Sequence, residues 1–195
     1  MTKRIEFFFD VGSPYTYLAE TQLPALVEKT GAEILWRPIL LGGIFKAINN
    51  VSPADIAPKA AHLNVDLERH AARYGVPFRF NPHFPIFTIA LMRGAIVAQE
   101  GDFLAPYLDA VYQALWVDAK NMNEPDVVGR VLTDAGLEAA AIFARVGEQD
   151  IKDKLKANTA EAVARGVYGA PTFFVGADMF FGQDRLDFVA EALAA

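Results

Sequence analysis

Hydrophobic and polar positions alternate in two distinct rhythms along this chain. Arg4 to Phe9, RIEFFF, is a short aromatic run stopped by Asp10, Gly12 and Pro14, the pattern of a buried strand. Ala19, Leu23, Leu26 and Val27 then recur on one helical face, and Gly31 stands where a C-cap glycine belongs. Pro24 falls inside that helix and is expected to kink it. Ala32 to Leu40, with Ile34, Trp36 and Ile39, reads as a second strand ending at Gly42 and Gly43. A β-α-β order implies a parallel pair with a right-handed crossover.

From Phe45 to Gly166 the rhythm is helical throughout. Helices are predicted over Asp66 to Tyr74, Ile86 to Gln99, Phe103 to Trp116, Pro125 to Ala135 and Gln149 to Arg165, and the alanine-rich LEAAAIFARV fits the same reading. Strand character returns in Thr172 to Val175 and Met179 to Phe181, separated by GAD. A last helix covers Arg185 to Ala194, with Leu186, Val189, Ala190 and Leu193 on one side. The order is β-α-β, helices, β-β-α. It is an α/β, thioredoxin-like layout with a large all-helical insertion. The expected division is residues 1–44 and 167–195 for the thioredoxin-like part and 45–166 for the insertion.

Composition narrows the function classes. At 195 residues, 53% hydrophobic and 22% charged, the chain buries a sizeable core. Eighteen Lys and Arg against 24 Asp and Glu give a net charge of −6 with no basic cluster, so no nucleic-acid partner is expected. No apolar stretch approaches a membrane span, and the apolar start is too short for a secretion signal, so a cytoplasmic location is expected. Cysteine is absent, which excludes a redox dithiol and a cysteine nucleophile. Any thiol chemistry requires a thiol on a ligand. The three histidines have no cysteine company or ligand-type spacing, so no metal is expected, and His70 reads as a packing residue.

In the thioredoxin layout the active position opens the first helix, where redox members carry Cys-x-x-Cys. Here Ser13-Pro14-Tyr15-Thr16 stands there. Its spatial counterpart is a proline before the third strand, here Ala170-Pro171-Thr172. Locally, Ser13 reads as an N-cap with Pro14 at the first helical position. It also suits a hydrogen-bond donor to a bound group, because its oxygen can accept a backbone N–H while its hydrogen points elsewhere. Tyr15 or Tyr17 could wall the pocket, with core packing the expected role of Tyr17.

The combination FDVGSPYTYLA, LGGIFKAINNV, YGVPFRFNP, GVYGAPTFFVG and MFFGQDRLDFV, spanning the chain in order, resembles 2-hydroxychromene-2-carboxylate isomerases and kappa-class glutathione transferases. The resemblance implies glutathione as cofactor, with its sulfur held by Ser13 as the catalytic residue. It places the cysteinyl backbone against Ala170 and Pro171 and the γ-glutamyl end at Gly182, Gln183, Asp184 and Arg185. Asp184 reads locally as an N-cap as well. The resemblance further implies a second, aromatic or electrophilic substrate lined by Lys46, Asn49, Asn50 and Phe84, and a homodimer. The implied reaction is a glutathione-dependent cis/trans isomerisation. The alternatives are kappa-like conjugation and a non-catalytic thioredoxin-fold binding module.

Overall fold

A computed structural model describes residues 3–194. The amino-terminal unit runs β1 (Arg4–Phe9), α1 (Pro14–Glu20), α2 (Leu23–Thr30) and β2 (Glu33–Pro38). The helical stretch comprises α3 (Leu41–Ala47), α4 (Ala57–Tyr74), α5 (Ile89–Glu100), α6 (Leu104–Tyr112), α7 (Pro125–Asp134), α8 (Ala139–Val146) and α9 (Gln149–Ala164). The chain then forms β3 (Thr172–Val175), β4 (Asp178–Phe181) and α10 (Leu186–Ala194). The sheet order is β2-β1-β3-β4. β1 pairs in parallel with β2, while β1 with β3 and β3 with β4 are antiparallel.

The two-residue period of β1 sorts its aromatics between two cores. Ile5, Phe7 and Phe9 join Phe173 in the larger cluster, which continues through Leu91, Tyr107 and Trp116 of the helical stretch. Phe8 faces the other way, with Phe174, Ile39, Ile44 and Ala162. Arg165 lies 3.9 Å over the Phe174 ring and pairs with Glu6 at 2.8 Å, covering that second face. The hydrogen bond from Arg165 holds the Glu6 carboxyl below its ordinary range.

Several helix limits differ from the sequence reading. Pro24 does not kink one helix. It occupies the first turn of α2, after α1 has ended at Glu20, where its missing N–H leaves nothing unpaired. α4 starts nine residues before Asp66, at Ala57 with Pro58 in its first turn, and ends at the left-handed Gly75. α5 starts at Ile89 instead of Ile86. After α6 the chain widens into a π-helical segment, Gln113–Val117, and Asp178 belongs to β4 instead of the turn. No helix of the described residues is long and apolar enough to cross a membrane.

Candidate functional site

The site begins where β1 ends. From Asp10 to Ser13 the chain turns outward, and its polar groups are held one by one. The Asp10 carbonyl accepts the Ser13 N–H at 3.0 Å. Its carboxylate accepts the Gly12 N–H at 2.9 Å on Oδ1, and the Leu41 N–H at 2.8 Å and the Thr88 hydroxyl at 3.1 Å on Oδ2. Asp10 is 1% exposed; burial pushes its carboxyl above the ordinary range against the pull of these donors. The Val11 N–H meets Met92 Sδ at 3.3 Å, and the Val11 carbonyl accepts Trp116 Nε1–H at 2.9 Å. The π-helical segment carries that tryptophan. Gly12 is needed because a Cβ would lie 2.6 Å from Thr88 Cγ2. The turn has little freedom left, so Ser13 is delivered to a fixed point.

Ser13 is the N-cap of α1, with Pro14 in the first turn. Its Oγ accepts the Thr16 N–H at 3.3 Å and donates to the Ala170 carbonyl at 2.9 Å. The two landmarks thus meet directly. The Ala170–Pro171 peptide is cis, as is Phe84–Pro85. The Ser13 proton rests on a carbonyl, which does not take up protons, so the hydroxyl is placed as a donor and not activated as a nucleophile.

Around Ser13 opens a cavity of about 750 Å³, within the range of small-ligand sites. Ser13, Ala170, Pro171, Gly182, Gln183, Asp184, Arg185, Asn50 and Phe84 all lie on its wall. Lys46 and Asn49 do not, although the resemblance put them there. Both are exposed outside it, and Asn49 has a left-handed φ of 55°. Leu41 and Phe45, one turn apart on α3, face the cavity, and the next helical position points roughly 100° away. Asn50 Oδ1 accepts the Val51 N–H at 2.9 Å. Phe84 packs 6.3 Å from Trp116 and 5.4 Å from Phe80, ring centroid to centroid. Asp184 does not cap a helix; it pairs with Arg185 at 2.6 Å, inside a single 3-10 turn.

Opposite these residues, α4 contributes Lys59, His62, Asp66 and His70, none of which the sequence reading assigned to the site. His70 is therefore a wall residue, not merely packing. The Tyr15 hydroxyl donates to Asp66 Oδ2 at 2.8 Å, and His70 Nε2 lies 3.8 Å from Asp66 Oδ1. Burial and then Asp66 push the Tyr15 phenol far above its ordinary range, so it stays protonated. Tyr17 is in the core, donating to the Pro77 carbonyl at 2.6 Å. Tyr168 and Phe181 form a ring pair at the rim, 4.5 Å between centroids, over Gly169. A Cβ at Gly169 would meet Phe181 at 2.6 Å. No three His, Cys, Asp or Glu side chains of the described residues are grouped to hold a metal ion.

The sheet order and the Ser13–Ala170 corner define a thioredoxin-like protein whose first helix opens on a hydroxyl. The model of the DsbA-like thioredoxin domain matches residues 4–194. A 2-hydroxychromene-2-carboxylate isomerase from Sphingobium xenophagum is 35% identical over 99% of both chains. Glutathione S-transferase kappa 1 from Rattus norvegicus is 25% identical over 97% of this chain and 90% of its own. The solved structure of a 2-hydroxychromene-2-carboxylate isomerase superposes with a TM-score of 0.85 at 28% identity, covering 98% of this chain and 94% of that one. The chain belongs to the DsbA-like thioredoxin family, in its group of 2-hydroxychromene-2-carboxylate isomerases and kappa-class glutathione transferases. It is an enzyme of that group.

Proposed function

We propose that the chain is a glutathione-dependent cis/trans isomerase acting on an aromatic-ring catabolite of the 2-hydroxychromene-2-carboxylate type. The observation that carries this reading is the Ser13–Ala170 contact, a buried hydroxyl on the backbone that leads into β3, on the wall of a cavity. The donor set fits glutathione along its length. Ser13 meets the sulfur, turning its hydrogen from the Ala170 carbonyl toward the thiolate while keeping the Thr16 N–H. The freed Ala170 carbonyl, in the segment before β3, accepts the cysteinyl N–H. Asp184 and the adjoining backbone hold the γ-glutamyl ammonium and carboxylate. At the other end Lys59 faces the glycyl carboxylate.

When bound, glutathione would supply a thiolate, held by Ser13, for reversible addition to a conjugated double bond. The chain's own part is electrostatic and steric. A hydrogen bond from Ser13 stabilises the sulfur as its anion, against an ordinary thiol pKa of about 8.5. Phe45 and Phe84 offer apolar surface to the aromatic ring. For the chromene acid, the ring C–O bond of the hemiketal breaks, its hydroxyl becomes the ketone and the proton passes to the phenolic oxygen, so the product would be the ring-opened trans-o-hydroxybenzylidenepyruvate.

A glutathione titration at neutral pH, followed by thiolate ultraviolet absorbance, tests the anchor. The wild type should develop the signal and Ser13→Ala should lose it; failure of the wild type to bind glutathione refutes the reading. Kappa-like conjugation is the second reading, favoured by the kappa-class relatives. Counting free thiol through turnover separates the two: isomerisation leaves it constant, conjugation consumes it.

A further inference from the structure

Helix α3 has two working faces. Leu41 and Phe45 line the cavity above, whereas Gly43 and Ala47 border a second groove of about 580 Å³, closed by α5 and α9. Its apolar wall is Leu40, Ile89, Leu155 and Val163. Its charged wall is Arg93 of α5 with Lys152 and Lys156, one turn apart on α9. None of these three cations forms an ion pair with any of the described residues. Arg93 lines the groove, while its Nε is buried with no acceptor among the described residues. Asp153 is the one carboxylate among the lining residues, and its Oδ1 already accepts Gln149 Nε2–H at 2.9 Å. The groove therefore combines three cations and one anion with apolar flanks, in a chain whose net charge is −6.

We infer that this groove binds a small amphiphilic organic anion, with an acid group among Arg93, Lys152 and Lys156 and an apolar body along Leu40, Ile89 and Leu155. Both halves of the ligand follow from the walls. A bare inorganic anion leaves the apolar side wetted, and an uncharged hydrocarbon leaves the three lining cations without a counter-charge. Charge-assisted bonds to guanidinium and ammonium groups supply orientation, and apolar burial supplies most of the affinity. The site is separate from the cavity and does not depend on the proposed reaction.

The full chain is titrated with 8-anilinonaphthalene-1-sulfonate, followed by fluorescence, and the bound dye is challenged with 1-naphthoate and with uncharged 1-naphthalenemethanol. Saturable binding is expected, displaced by the naphthoate and not by the alcohol. Lys152→Glu together with Lys156→Glu should weaken it about tenfold or more, the scale of one or two lost charge-assisted contacts. Both lysines lie on the α9 surface, so this variant should melt like the wild type even if Arg93→Met does not fold. Unchanged affinity in the double variant would mean that the dye sits elsewhere, and overturns the assignment. So would a wild type that sediments as a dimer and binds dye only when the charge reversals dissociate it, because a second copy of the chain would then be the occupant.

Discussion

The hydroxyl of Ser13 donates to the carbonyl of Ala170 at 2.9 Å, across 157 positions of sequence. One atom thereby caps α1 and ties it to the segment that leads into β3. Ser13→Ala removes both bonds at once. The expected loss is about 2 kcal/mol, roughly 1 from the cap and 1 from the tie to Ala170. Urea unfolding measures it, and a loss no larger than that of an ordinary cap would mean that the Ala170 contact contributes nothing to stability.

Asp10 should matter without touching substrate. In Asp10→Asn an amide NH2 replaces one of two oxygens that now accept three donors, so at least one donor loses its acceptor. The expected destabilisation is about 1–3 kcal/mol, with a fall in kcat, because the turn that aims Ser13 loosens. Kinetics and melts indistinguishable from wild type would remove Asp10 from any positioning role.

Two lysines should differ in their effect on glutathione. Lys59 lines the cavity and Lys46 stands outside it. Lys59→Ala is expected to raise the KM for glutathione about tenfold, the worth of one charge-assisted contact. Lys46→Ala should leave it nearly unchanged. An unchanged KM for glutathione in Lys59→Ala would remove Lys59 from the cofactor site.

Glu20 sets a pH dependence of stability. Burial first, and Asp109 second, push its carboxyl up from 4.5 to about 7. The folded state then holds a proton that the unfolded chain releases, so stability is fully present below about pH 4.5 and declines as pH rises toward 7. Glu20→Gln should flatten that decline and gain on the order of 1 to 2 kcal/mol at pH 8. Parallel pH profiles of urea midpoints for wild type and variant would show that Glu20 titrates normally.

Much of the fold is legible in the sequence because apolar runs end at strong breakers. Arg4–Phe9 and Thr172–Val175 stand where the pattern put them. The sequence pattern understates α4 because APKAAHLNV has too little amphipathic contrast to declare a helix, although Pro58 marks a first turn. That shortfall hid part of the site. Lys59, His62, Asp66 and His70 are spaced three, four and four apart, which places them on one face once the helix starts at Ala57. Lys46 lies outside the cavity lining although its helix borders it, because a resemblance transfers residue identity but not the direction in which a side chain leaves its helix. The π-helical segment under Trp116 has no sequence signature in its apolar spacing, so the support of the Asp10–Ser13 turn was invisible beforehand. The continuous cluster from Phe7 to Trp116 also bears on the division at residues 44 and 166. A single cooperative unfolding transition in calorimetry is the expected outcome, and two resolved transitions would make the helical stretch an independent unit.

β1 lies inside the sheet, with β2 on one side and β3 on the other. During synthesis β2 follows it closely, but β3 emerges only after seven intervening helices have been made. Until then the growing chain carries an aromatic strand with one unpaired edge, the sort of surface on which nascent proteins stick to one another. The ribosome thus delivers Ser13 early and its counterpart late. A prematurely terminated product lacking β3 would be not a weakened enzyme but a substrate for chaperones.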